Sequence, residues 1–111
     1  MKRVVVTGLG VVTPIGNNIP DFLKGLREGV SGAAPITLFD CSKFKTQFAC
    51  EVKDFNAQDF MDRREARKID RFTQLAMVAA DEAMQDSGID VEQINLDRAG
   101  VIWGSGIGGL G

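Results

Sequence analysis

The stretch Arg3-Val4-Val5-Val6-Thr7-Gly8-Leu9-Gly10 decides the fold class. Arg3–Thr7 is a continuous run dominated by β-branched side chains, with no polar alternation. Such a run suits a central strand buried on both faces, as in the parallel sheets of α/β proteins. The glycines punctuate the strand end, and the apolar run from Val11 stops at Pro14. A second run of the same kind, Ala99–Trp103, leads into Gly104-Ser105-Gly106-Ile107-Gly108-Gly109-Leu110-Gly111. Helical patterns lie between the two, so the order strand, helix, irregular, helix, strand predicts an α/β fold.

Working outward, Gly16-Asn17-Asn18 is turn chemistry. Pro20 fits the first turn of a helix, where its missing N–H costs nothing; Phe22, Leu23 and Leu26 follow at helical spacing, and Gly29 is a stop. Ser31–Pro35 reads as a small-residue loop. Residues 36–46 read as irregular, anchored by Phe39 and Phe44, and residues 47–52 as a strand. Asn56 is placed to cap a short helix over 57–61. The clearest helix spans 70–86. Phe72, Leu75, Ala76, Ala79 and Ala83 form one stripe, which Met77, Ala80 and Met84 widen. A surface this wide predicts cover on more than one side, and the alanines admit a closely packed backbone. Ser87-Gly88 ends this helix, and residues 89–98 connect it to the second apolar run. Two or three strands and two good helices bury little area. Residues 1–111 therefore read as the opening part of a larger domain, incomplete by themselves.

Composition narrows function. The 111 residues are 44% apolar, 25% charged and 7% aromatic, which are values of a folded globular chain. A net charge of −2 argues against general nucleic-acid binding, which needs a basic excess. With no histidine, neither a Ser-His-Asp nor a Cys-His site can be complete here. Zinc would have to rely on Cys41 and Cys50 with carboxylates. No metal or cofactor site is expected. No apolar run approaches the ~20 residues of a membrane span. The opening Met1–Val6 mimics a short signal-peptide start, but it breaks at Thr7-Gly8 with no cleavage pattern after it. Cys41 and Cys50 form no CxxC pair. They fit free thiols in a reducing cytoplasm, packed rather than nucleophilic.

Two features are candidates for binding. Gly104-x-Gly106-x-x-Gly109 matches the dinucleotide fingerprint, which also requires a following helix and an acidic residue further on. The same letters equally serve tight turns and close packing at a strand end. Residues 63–71 hold Arg63, Arg64, Arg67, Lys68 and Arg71 against Glu65 and Asp70, a local charge of +3 that leaves −5 on the rest of the chain. If the stretch is helical, Arg64, Arg67, Lys68 and Arg71 share one face. Such a face can steer an acidic partner or a phosphate, or can be a solvated surface with local ion pairs.

Taken together, Val4–Asn17, Phe39-Asp40, Val52–Asn56, Arg67-Lys68-Ile69-Asp70-Arg71-Phe72, Met84–Gly88 and Gly104–Gly109 resemble, in order and spacing, the bacterial-type 3-oxoacyl-[acyl-carrier-protein] synthases. The similarity is greatest to the type II elongating condensing enzymes, and it extends over essentially all 111 residues. It implies a thiolase-like αβαβα layered fold, of which this chain is an incomplete N-terminal part, and a homodimer. It implies transfer of an acyl chain from acyl carrier protein to a cysteine. Decarboxylation of malonyl-carrier protein and attack of the carbanion on the thioester follow. One cysteine and two histidines do this work in the family, and the resemblance places all three after Gly111. Neither Cys41 nor Cys50 matches the nucleophile motif. Arg64, Arg67 and Lys68 match the surface that docks the carrier protein, and Ile107 matches a residue that lines the acyl pocket and gates chain entry. Type I and polyketide ketosynthases are related readings. A nucleotide-binding domain and a non-catalytic carrier-binding module are the readings from other classes.

Overall fold

A computed structural model describes residues 1–109. The chain divides into two compact units, one of Val12–Phe55 and one of Met1–Val11 with the chain from Asn56 onward.

The Val12–Phe55 unit starts with a tight turn. Thr13 N–H donates to Gly16 O at 2.8 Å and Gly16 N–H to Thr13 O at 3.2 Å, with Pro14 at the position a β-turn favours for it. Asn18 then caps helix α1 (Ile19–Glu28): its Oδ1 accepts from Asp21 N–H at 2.9 Å, while its Nδ2 donates to Asp21 Oδ2 at 3.1 Å. Gly29 ends the helix at φ 66°, a left-handed conformation that suits glycine. Gly29 N–H donates to Leu26 O and Val30 N–H to Gly25 O, so two terminal carbonyls are satisfied.

Strand β1 (Ala33–Pro35) pairs antiparallel with β2 (Phe48–Cys50), in the register Ala33 with Cys50, Ala34 with Ala49 and Pro35 with Phe48. The expected loop at Ser31–Pro35 is thus partly a strand, because a two-stranded ladder needs a neighbour and 48–50 supplies it. The expected strand over 47–52 shortens to those three residues. The excursion between them is closed by an edge-to-face pair, Phe39 and Phe44, with centroids 5.8 Å apart at 79°. Glu51 ties its start. The carboxylate accepts from Thr37 Oγ1 at 2.7 Å, Thr37 N–H at 3.1 Å and Leu38 N–H at 3.3 Å.

Hydrogen bonds from the Thr37 hydroxyl, and then from its backbone N–H, hold the Glu51 carboxyl below the usual carboxylate range. A depressed folded-state pKa means that the ionised form favours the folded loop. The contribution is present above the unfolded-state pKa and is lost as pH falls through the lowered one. Carboxyl NMR titration of Glu51 is expected to show a midpoint below that of an unstructured glutamate, and Thr37→Val is expected to move it upward. A midpoint unmoved by Thr37→Val would remove the assignment.

The other unit is built on helix α3 (Arg71–Ser87), close to the expected 70–86, with Gly88 at φ 64° after it. Before α3 come a 3-10 turn, Ala57–Asp59, capped by Asn56, and a short helix α2 (Arg63–Ala66), capped by Asp62. Gln74 Nε2 donates to Ala66 O at 2.8 Å and so ties α2 to α3. Residues 8–11 lie along α3. A Cβ on Gly8 would collide with Ala83 O and Ser87 N, and one on Gly10 with Ala79 O and Ala83 N. Between these contacts, Leu9 N–H donates to Asp86 Oδ2 at 3.0 Å and Val11 N–H to Glu82 Oε2 at 2.9 Å. The small-residue stripe of α3 meets the backbone, and the carboxylates one turn apart satisfy it.

The two expected buried strands are not formed. Neither 3–7 nor 99–103 pairs with a strand among the described residues. Val4 is 97% exposed and Ile102 fully so. A strand is stable only against a neighbouring backbone, and the described residues place none there. The cover expected around α3 is also partial: Ala76 and Val78 are buried, but Met77 and Met84 are exposed. Among the described residues the buried apolar ones are Ala57, Ala66, Ala76 and Val78, and no large side chain is fully buried.

Candidate functional site

The basic stretch is cut in two. Asp62 and Asp70 each begin a helix, so α2 ends at Ala66 and α3 starts at Arg71. Aspartate favours this start position: Asp62 accepts from Arg64 N–H at 2.7 Å, whereas Asp70 makes no side-chain cap bond. The continuous face predicted for Arg64, Arg67, Lys68 and Arg71 is therefore corrected. Arg64 lies in α2, Arg67 ends it, Lys68 follows in the turn with its N–H on Glu65 O at 3.0 Å, and Arg71 opens α3. All four are exposed. Among the described residues, the side chains of Arg64, Arg67 and Lys68 have no hydrogen bond or ion pair. The alternative of a surface neutralised by local ion pairs does not describe these three cations.

Ile107 is 79% exposed and stands in the loop 104–109. Gly108 turns that loop at φ 80°, and its N–H donates to Ser105 Oγ at 3.3 Å. A cleft of about 500 Å³ beside it is lined by Ile69, Asp70, Arg71, Phe72, Leu75, Gly108 and Gly109. The loop and the segment after the basic stretch thus share a cleft, which sequence reasoning missed because the two lie far apart along the chain. A second, apolar groove of about 340 Å³ runs beside α3, between Gly8, Gly10 and Ala83 on one hand and Val101 and Trp103 on the other.

The dinucleotide reading of Gly104–Gly109 loses its context. Among the described residues no strand precedes the loop, and the Asp70 carboxylate lies against Gly109. Leu110 and Gly111, the end of the glycine-rich run, lie outside the described residues. Cys41 is half-buried with its thiol 3.9 Å from Gln47 O, and Cys50 is exposed; both are free. The packing expected of Cys50 is therefore not formed, because β2 has a partner on one edge and little over its faces. The sequence holds no histidine to pair with either thiol. Among the described residues no three carboxylates or thiols gather to hold a metal ion, and no helix is long and apolar enough to cross a membrane.

Comparisons with known proteins agree with one another. The family model for "Beta-ketoacyl synthase, N-terminal domain" matches residues 1–111. Proteins named 3-oxoacyl-[acyl-carrier-protein] synthase 2 from Synechocystis sp. and Coxiella burnetii are each 50% identical over 109 residues, and that of Staphylococcus aureus strain COL is 46% identical. These alignments cover 98% of this chain and 26% of each relative, so the chain spans about a quarter of their length. Among solved structures, the ishigamide ketosynthase/chain length factor superposes with a TM-score of 0.73 at 38% identity, over 81% of this chain and 22% of that one. A type II polyketide ketosynthase, solved with its acyl-carrier protein, superposes with a TM-score of 0.67 at 26% identity, over 88% and 24%. The chain therefore belongs to the beta-ketoacyl synthase family, matching its N-terminal domain, and has the thiolase-like ketosynthase fold over the part that it spans.

Proposed function

We propose that this chain is the carrier-docking and acyl-channel part of a type II 3-oxoacyl-[acyl-carrier-protein] synthase, which extends fatty acyl chains by decarboxylative condensation. The observation that carries the reading is the 50% identity, along 98% of the chain, to proteins named for that activity. The ketosynthases of known structure are less similar, at 38% and, for the type II polyketide enzyme, 26%. In the proposed reaction a cysteine thiolate takes the acyl group from the carrier's phosphopantetheine thiol. Malonyl-carrier protein then loses CO₂, and its carbanion attacks the thioester carbonyl and expels the thiolate. An activated thiolate, imidazoles and oxyanion donors are required. These residues hold no histidine, and neither Cys41 nor Cys50 matches the family's nucleophile motif, so in this reading the thiolate and the imidazoles belong to the rest of the enzyme. In this reading residues 1–111 form an incomplete part of the first thiolase-like half. The exposed runs 4–6 and 101–103 are covered by the remainder. The enzyme is cytoplasmic and a homodimer.

Residues 1–111 alone are expected to give no condensation of acyl- and malonyl-carrier protein, while the full-length enzyme does. Condensation by the segment alone would show that the machinery lies within it.

Ile107 is assigned to the acyl channel, with flanking glycines that let its loop move. In the full-length enzyme, Ile107→Phe is expected to lower acylation by long acyl chains by roughly tenfold, about 1.4 kcal/mol of transition-state free energy, and acylation by short chains much less. An equal loss across chain lengths would remove Ile107 from the channel.

A further inference from the structure

We infer that Asp70 is a positioning residue that couples carrier docking to the loop bearing Ile107. The inference rests on the docking and channel roles proposed above. Asp70 occupies the start position of α3, yet its side chain makes no cap hydrogen bond. Aspartate at such a position ordinarily accepts from the second or third N–H of the helix. Here its carboxylate lies against Gly109 instead, so closely that a Cβ on Gly109 would overlap the carboxyl group. Gly108, at φ 80°, turns the loop at this point, and Ile107 is the next residue back. On its other side, Asp70 is two residues from Lys68 and three from Arg67, whose side chains have no partner among the described residues.

The arrangement has two alternatives for one carboxylate. It can rest on Gly109 and hold the loop, or turn to the free N–H groups of Phe72 and Thr73 at the positive end of α3. An acidic carrier docked on Arg67 and Lys68 brings negative charge beside Asp70, which makes the positive end of α3 the more favourable place for its carboxylate. That shift favours the capping position, which leaves Gly109 and frees the loop. Coupling of this kind commonly changes an equilibrium by about five-fold or more.

The test uses the full-length enzyme and holo-carrier protein without an acyl chain, reading carrier affinity and hydrogen exchange of residues 104–109. In the unmodified enzyme, docking is expected to speed exchange of that loop by about five-fold. In Asp70→Asn, which can still cap α3, affinity is expected to stay within about two-fold while the docking response is lost. Gly109→Ala leaves Asp70 in place but pushes the loop away from it. It is expected to lose the response too, which keeps the test decisive should Asp70→Asn fold poorly. A docking response retained in both variants at unchanged affinity overturns the coupling and leaves the docking surface standing. Carrier affinity that is insensitive to Arg67→Glu and Lys68→Glu overturns the docking surface itself, and the coupling with it.

Discussion

Gly10→Val is expected to destabilise the full-length enzyme by about 3 kcal/mol or more, against the 1–3 kcal/mol usual for overpacking. The reason is what the new side chain would strike. A Cβ at position 10 meets Ala79 O and Ala83 N, which are backbone atoms of α3 and have no rotamer to change. Either the segment 8–11 lifts off the helix or the helix shifts. Lifting it also pulls Val11 N–H from Glu82 and Leu9 N–H from Asp86. Each of these is a hydrogen bond to a charged acceptor, a class worth about 1.5–3 kcal/mol when buried and less where water reaches it, as at Leu9. Against a typical total stability of about 5–15 kcal/mol, the loss is large. Urea unfolding measures it, and Lys24→Ala, at an exposed position of α1, is the control. That control is expected to stay within about 0.5 kcal/mol of the unmodified protein. Equal stability of the two variants would mean that α3 and the glycine segment do not approach closely in solution.

This contact also shows which features of the fold are legible in sequence. The alanine stripe of α3 predicts a close backbone neighbour, and the glycines at 8 and 10 predict a backbone without side chains in the way. The structure joins them. Helix ends are legible for the same local reason: Pro20 and Gly29 mark α1 by chemistry within a few residues of each end, while Asn18, read as turn chemistry, proves to be its cap. Burial is not local. The run Arg3–Thr7 has the composition of a buried strand, but its burial depends on neighbours that the described residues do not supply. The strand at Ala33–Pro35 has no strand-like composition, and only its pairing with 48–50 makes it one.

At the candidate site, the cations were legible as a cluster, whereas their geometry was not. Helical spacing alone puts Arg64, Arg67, Lys68 and Arg71 on one face. Asp62 and Asp70, both helix starters, divide that face, and they stand in the sequence as a signal that periodicity overrode. The contact between Asp70 and Gly109 had no such signal, since it joins two segments that no local pattern relates.

The second large effect expected is on carrier binding. Reversing Arg67 and Lys68 together, as Arg67→Glu with Lys68→Glu, changes the local charge by four units in a stretch that carries +3. Neither side chain has an intramolecular partner among the described residues, so reversal breaks no ion pair there. The effect is expected on the interaction with an acidic surface. A like-charge juxtaposition in an interface costs several kcal/mol, so affinity at low salt is expected to fall by about 100-fold or more. Most of the change at the rim of such an interface is in the association rate. Screening then supplies a signature. The Debye length shortens from about 10 Å at 0.1 M to about 3 Å at 1 M salt, and the gap between variant and unmodified enzyme is expected to narrow accordingly. Lys24→Glu with Lys45→Glu changes the net charge equally, at exposed positions outside the basic stretch. If that pair weakens carrier binding as much as the first, net charge governs the association and residues 64–68 are no docking surface. If it leaves binding within a few-fold, the attraction is local to the turn between α2 and α3.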